Sequence, residues 1–207
     1  ILMSWNGGVF FMMNTSASVR KVNVRKMTII GVLSAISIML SMTPLGFIPV
    51  GPTKATIMHI PVIIGAIMEG PIVGAAIGFI FGISSLLNAI TNPTVTSFVF
   101  INPLVSILPR VMIGVLAYYV YQLIIKATNK VYISGLITGA IGSLLNTAGV
   151  LGMIYVLYAD KYLHAMGKSG SAGKVIMALA AANGVPEAIV GALVVAAVAT
   201  VLKKSKK

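Results

Sequence analysis

The 207-residue chain has no cysteine, three acidic residues and two histidines. The missing cysteine excludes disulfide frameworks, thiol catalysis and Cys-ligated metals. Three acids are few for a proton relay. His59 and His164 have no neighbouring ligands at metal-binding spacing, so neither a metal nor another cofactor is expected. Charge of either sign is scarce: 9% of residues are charged, where a soluble domain carries about 25%. So little charge excludes a water-covered globular surface. What is present is apolar, with 58% hydrophobic residues and a mean hydropathy of +1.03. The chain is therefore read as an integral membrane protein, all-α, whose solvent on most sides is lipid.

A net charge of +12 can mark nucleic-acid, lipid or anionic-ligand binding. Here the cations stand in short clusters between apolar runs, which fits membrane topology and not nucleic acid. Gly167-Lys168-Ser169 resembles the end of a phosphate-binding loop. That motif needs a glycine where Tyr162 stands, so no ATPase of the chain's own is expected. Asn14-Thr15-Ser16 matches a glycosylation sequon but falls on the expected cytoplasmic side. No Ser/His/Asp set falls at one depth, and no enzyme signature emerges.

A span needs about 20 apolar residues. The run Ile1–Met13 is shorter, and positive charge follows it instead of preceding it, unlike a signal peptide. Residues 1–26 are read as an N-terminal cytoplasmic or interfacial segment. Six spans are expected within 27–202: Met27–Met42, the short Ala55–Met68, Pro71–Ala89, Phe98–Ile125 with Pro103 and Pro109 inside it, Val131–Tyr158, and Lys174–Leu202. Residues 203–207 form a basic tail. Leu45–Lys54 reads as a Pro/Gly-broken loop, Glu69-Gly70-Pro71 as a tight turn, and Asp160–Lys174 as a polar loop. Six spans put both termini on one side. That side collects Arg20, Lys21, Arg25, Lys26, Lys126, Lys130 and the four C-terminal lysines, against Lys54, Lys161, Lys168 and Lys174 on the other. The positive-inside rule then makes both termini cytoplasmic.

Arg110 remains, deep in the fourth span. A cation there costs roughly 2.5–3.5 kcal/mol on insertion scales and calls for a partner, a function or a snorkelling route. Other polar groups fall at a similar depth in the outer half: His59, Asn88, Asn102, Asn146, Asn183 and Glu187. Their shared depth points to a pocket open to the outside, with Leu45–Lys54 as its cover. Arg110 offers paired donors to a carboxylate. The amides donate and accept, as a small polar ligand requires. Glu187 is expected to pair with Arg110 or to accept from ligand hydroxyls, and Tyr155 and Tyr158 to supply a wall. For each asparagine the competing reading is a helix–helix hydrogen bond. Small residues recur at spacing four: Gly31 and Ala35, and Gly74, Gly78 and Gly82. They serve either close packing within the chain or docking of another membrane subunit.

These features resemble the substrate-binding S components of energy-coupling factor (ECF) vitamin transporters, over about Met27–Leu202. The likeness rests on six short spans, the Gly/Pro-rich first outer loop, the Gly31/Ala35 pair, and the Glu69-Gly70-Pro71 turn before a Gly-rich helix. Ile48-Pro49-Val50-Gly51-Pro52-Thr53, Met58-His59-Ile60-Pro61, Asn102-Pro103 and Leu108-Pro109-Arg110 look most like the pantothenate-type members. Gly31 departs from the alanine many members carry but stays small. The resemblance implies a small-molecule vitamin as ligand, best guessed as pantothenate. It implies a gating loop around Pro49, Gly51, Thr53 and Lys54, and a docking face at Gly31 and Ala35. The implied partners are a transmembrane coupling subunit and two cytoplasmic ATPase subunits, in a bacterial plasma membrane. An S component for riboflavin or folate, and a self-sufficient secondary transporter, stand as rivals. Riboflavin needs no buried arginine, and no inverted repeat marks a secondary transporter.

Overall fold

The computed structural model describes residues 23–50, 53–167 and 170–205. The expected interfacial stretch Ile1–Met13 lies outside them, as do Gly51 and Lys168. Five helices are long and apolar enough to cross a membrane: α1 (Val24–Met42), α3 (Pro71–Thr91), α6 (Leu108–Thr128, entered from Pro103), α7 (Val131–Ala165) and α8 (Ala172–Ser205). A sixth apolar helix, α2 (Ile60–Glu69), has ten residues, about 15 Å at 1.5 Å per residue.

The outer surface of this bundle is apolar, as a membrane protein requires. Ile72, Val156, Leu123 and Met177 are each more than 70% exposed. On α1 the usual pattern inverts: the buried residues are Ser34, Ser37 and Ser41, while Met27, Val32 and Met39 face outward. Lipid tails are as apolar as methionine, so small residues that permit close approach take the inner face.

Local chemistry sets the breaks. Gly70 adopts φ 101°, a conformation glycine accepts without penalty, and its N–H donates to the Ala66 carbonyl to close α2. Pro71 then opens α3. Asn129, at φ 55°, closes α6 in the left-handed region and its N–H donates to Ile125. A short antiparallel hairpin, β1 (Phe47–Val50) and β2 (Thr53–Thr56), with Phe47 opposite Thr56, fills the expected loop and runs into the start of the expected second span, so Ala55–Met68 is helical only from Ile60.

Two further expected elements differ. The fourth span is not continuous from Phe98. It begins as two one-turn helices, α4 (Ser97–Phe100) and α5 (Pro103–Ser106), before α6 starts at Leu108. Pro103 and Pro109 each occupy an opening turn, where a missing N–H costs nothing. The fifth span runs on to Ala165 through a kink at Tyr158 (φ −139°, ψ 18°), and α8 begins at Ala172, so both ends of the expected 160–174 loop are helical.

The glycine stripes are packing surfaces. A Cβ on Gly74 would collide with the backbone of Gly114, and one on Gly78 with the carbonyl oxygen of Arg110. Gly82 meets Ile107 in the same way. The α3 stripe thus brings α6 into backbone contact and fixes where Arg110 stands. On the other side Gly135 and Gly139 admit the backbone of α8 at Ala196 and Gly191.

Candidate functional site

A cavity of about 340 Å³ opens at the hairpin end of the bundle, within the ~300–1,000 Å³ usual for small-molecule sites. Arg110 and Asn146 line it, with Asn88 from α3 and Phe47 and Thr56 from the hairpin. Ser85, Asn92, Thr94 and Ser97 add hydroxyls and an amide on the α3–α4 side.

Arg110 occupies the first turn of α6 and is 6% exposed. Its Nη1 donates to the Val105 carbonyl at 2.6 Å, at the end of α5. The guanidinium lies 5.6 Å from the Phe81 ring centroid and 5.8 Å from that of Phe100. Its Nε is buried with no hydrogen-bond partner. The ion pair among the described residues is Arg25 Nη2–Glu69 Oε1, 2.8 Å, so no carboxylate pairs with Arg110. A cation at a helix N-terminus also sits at the positive end of the macrodipole. Desolvation, dipole and an idle N–H together make this spot attractive to an anion.

Glu187 does not pair with Arg110, contrary to one of the two roles expected of it. Its carboxylate is 4% exposed and is spent on protein donors. Oε1 accepts from the Thr56 N–H at 2.9 Å and from Thr56 Oγ1 at 2.7 Å. Oε2 accepts from Thr147 Oγ1 at 2.6 Å. The carboxylate therefore ties the foot of the hairpin to α7 and α8, and Thr56 rather than Glu187 faces the cavity.

Asn146 is buried, with its Oδ1 unpartnered at the cavity. Asn88 also reaches it, though its amide donates to the Ser41 carbonyl at 3.2 Å and its Oδ1 accepts from Asn92 at 2.8 Å. His59 is fully enclosed outside the cavity lining, with Nε2 2.8 Å from Ser143 Oγ and Nδ1 without a partner. Ser143 Oγ lies 2.9 Å from the Gly139 carbonyl, to which it donates. With that proton committed, Nε2 is the donor to Ser143 and Nδ1 the bare acceptor.

Besides Glu187 and His59, three further expected residues stand apart from the cavity. Asn102 caps α5 by accepting from the Leu104 N–H at 3.0 Å, and its amide donates to Tyr158 Oη at 3.0 Å. Tyr155 is half exposed beside an apolar groove between α7 and α8. Asn183 has a buried, unpartnered Oδ1 on α8 but does not line the cavity. Of the gating residues, Pro49 forms part of β1 and Thr53 and Lys54 of β2. On α1, Gly31 and Ala35 are both exposed, and a Cβ on Gly31 would meet no atom within 4 Å.

Sequence reasoning missed Thr56 and Thr147, the donors to Glu187, and the aromatic pair Phe81 and Phe100 around Arg110. A buried lone acid, such as Glu187 beside Pro186, was the available signal that hydroxyl donors must converge on it.

An apolar-surfaced helical bundle holding a cavity lined by a buried cation, amides and hydroxyls defines a membrane-embedded ligand-binding protein. The model of the ECF transporter, substrate-specific component family matches residues 25–201, and the chain belongs to that family. It is similar to the pantothenic acid transporter PanT of Lactococcus lactis subsp. cremoris, 30% identical over 169 residues covering 75% of this chain and 81% of the relative. It is also similar to the pantothenate transporter PanT of Leuconostoc mesenteroides subsp. mesenteroides, 28% identical over 166 residues covering 76% and 81%. The chain is a multi-pass protein of the bacterial plasma membrane.

Proposed function

We propose that the chain captures a small anionic vitamin, pantothenate, from outside the cell and delivers it inward when docked on an ATP-driven ECF module. The observation that carries the ligand class is Arg110: a buried cation lining a cavity, with no carboxylate at ion-pair distance among the described residues and one N–H idle. A ligand carboxylate supplies the missing charge, while Asn146 and the hydroxyls of the α3–α4 wall meet hydroxyl and amide groups. Pantothenate carries all three. The names of the two relatives support the same ligand.

In this reading α2 is a sixth, short crossing, and both termini are cytoplasmic. The cavity then faces outward beneath the hairpin. The exposed Gly31/Ala35 face of α1 receives the coupling subunit, which holds the two ATPase subunits.

The test is a ligand titration of the purified chain with pantothenate. Removing one member of a buried charge pair costs about 2–5 kcal/mol, so Arg110→Ala should weaken binding at least roughly thirtyfold. Unchanged affinity would remove Arg110 from the site. Binding of riboflavin in place of pantothenate would overturn the ligand class while leaving family membership intact.

A further inference from the structure

The opposite end of the bundle carries a second cavity, of about 570 Å³, that substrate capture does not use. Its walls are apolar, with Ile29, Ile67, Ile125 and Leu202 from four different helices. Its rim is cationic, with Arg25 from the first turn of α1 and Lys203 near the end of α8. Arg25 and Ile29 are four residues apart, as are Ala199 and Lys203, which both line the cleft. Cation and apolar wall are therefore offset by one helical turn, about 6 Å along the axis. That is the spacing between a headgroup and the start of its acyl chains at the membrane boundary.

The charge balance at this end is positive. Lys126 and Lys130 close α6 and precede α7, and the acid present is Glu69. Glu69 is bonded to Arg25 at 2.8 Å, which holds the guanidinium at the rim with its side chain 58% exposed. The remaining acids, Asp160 and Glu187, lie toward the other end of the bundle. An occupant must thus be anionic at the rim and apolar beneath it.

We propose that this cleft binds an anionic phospholipid, its phosphate meeting Arg25 and Lys203 and its acyl chains lying on the apolar wall. Basic pockets between membrane helices take anionic headgroups on the same physical grounds.

The full chain is reconstituted in bilayers of equal phosphatidylglycerol and phosphatidylcholine with identical acyl chains, extracted gently, and its retained lipids counted by native mass spectrometry. Phosphatidylglycerol should be enriched, and Lys203→Gln and Arg25→Gln should each lower the enrichment about fivefold. Lys203→Gln leaves the Arg25–Glu69 pair intact, so it separates lost charge from a loosened α1–α2 contact. Ile67→Trp, which fills the wall without changing charge, should lower retention of both lipids. Pantothenate titration of each variant checks that the distant cavity still folds. Equal retention of the two lipids, or enrichment unchanged in both charge variants, overturns the proposal. Displacement by inorganic phosphate alone marks a plain anion pocket, and retention of neither lipid shows that the cleft holds no lipid. Either result overturns it as well.

Discussion

At the scale of single residues, the two buried ionic groups near the cavity do different jobs. Arg110 is under-supplied with partners and faces the cavity; Glu187 is fully supplied and does not. Both charges lie close in depth, so an ion pair between them looked plausible from sequence. The structure gives each another solution. Arg110 takes a helix-end carbonyl and two aromatic faces, and Glu187 takes three hydroxyl and amide donors. Keeping them apart leaves the arginine available to a ligand carboxylate. In the proposed function Glu187 is then a positioning residue, through its hydrogen bonds from Thr56. In Glu187→Ala the three donors lose their acceptor, at about 1 kcal/mol or more each. The Thr56 amide should exchange its hydrogen faster, and ligand dissociation should quicken about tenfold. Glu187→Gln should fall between, since an amide keeps one oxygen for Thr56. Hydrogen exchange together with stopped-flow release separates the two variants. A protected Thr56 amide in Glu187→Ala would show that the hairpin foot is held by something else.

At the scale of elements, the α3–α6 contact sets the site. Gly78 faces the Arg110 carbonyl so closely that a methyl group collides with backbone, which cannot rotate away. Gly78→Ala should push α6 outward and cost about 1–3 kcal/mol in overpacking. The thermal midpoint and the pantothenate affinity should fall together. Gly31→Ala, with no atom within 4 Å, should change neither. A stable, fully binding Gly78→Ala would show that α3 and α6 can part without moving Arg110. The stripe itself was legible in sequence; which neighbour it meets was not, because spacing four says that a face is small and not what it touches. The break before α6 was hidden for a related reason. Hydropathy stays high through Val99–Ile107, so the run reads as part of one span although Pro103 sits in it and Pro109 just beyond. Asn102-Pro103 carried the missing signal, a cap followed by a first-turn proline. Asn102 was instead read as part of the pocket by depth alone. Arg110, Asn88 and Asn146, at a shared depth, line one cavity, but azimuth separates Tyr155 and Asn183 from them. Azimuth is poorly encoded in helices whose lipid face and core face are both apolar.

At the scale of the molecule, the cavity and the exposed small-residue face of α1 occupy different surfaces. The cavity draws on α1 through Ser41, near the helix end, whereas Gly31 and Ala35 lie two to three turns earlier and point away from the buried serines. Capture and docking are thus spatially separate in the proposed function, and a bulky change on one should spare the other. Gly31→Leu meets open space within the chain, so pantothenate affinity should stay within about twofold, the effect of an ordinary surface change. The same leucine blocks the close helix approach that small residues permit. Uptake by cells supplied with the coupling subunit and its ATPases should fall to background, and the variant should no longer co-purify with them. Loss of binding in Gly31→Leu would assign the face to folding. Normal uptake would move the docking surface elsewhere on the bundle, and an uptake that needs no ATPase partner would favour a self-sufficient transporter. The inner face of α1 carries serine because that helix packs closely on α2 and α3, while Gly31 and Ala35 lie exposed among the larger outward residues Val32 and Met39.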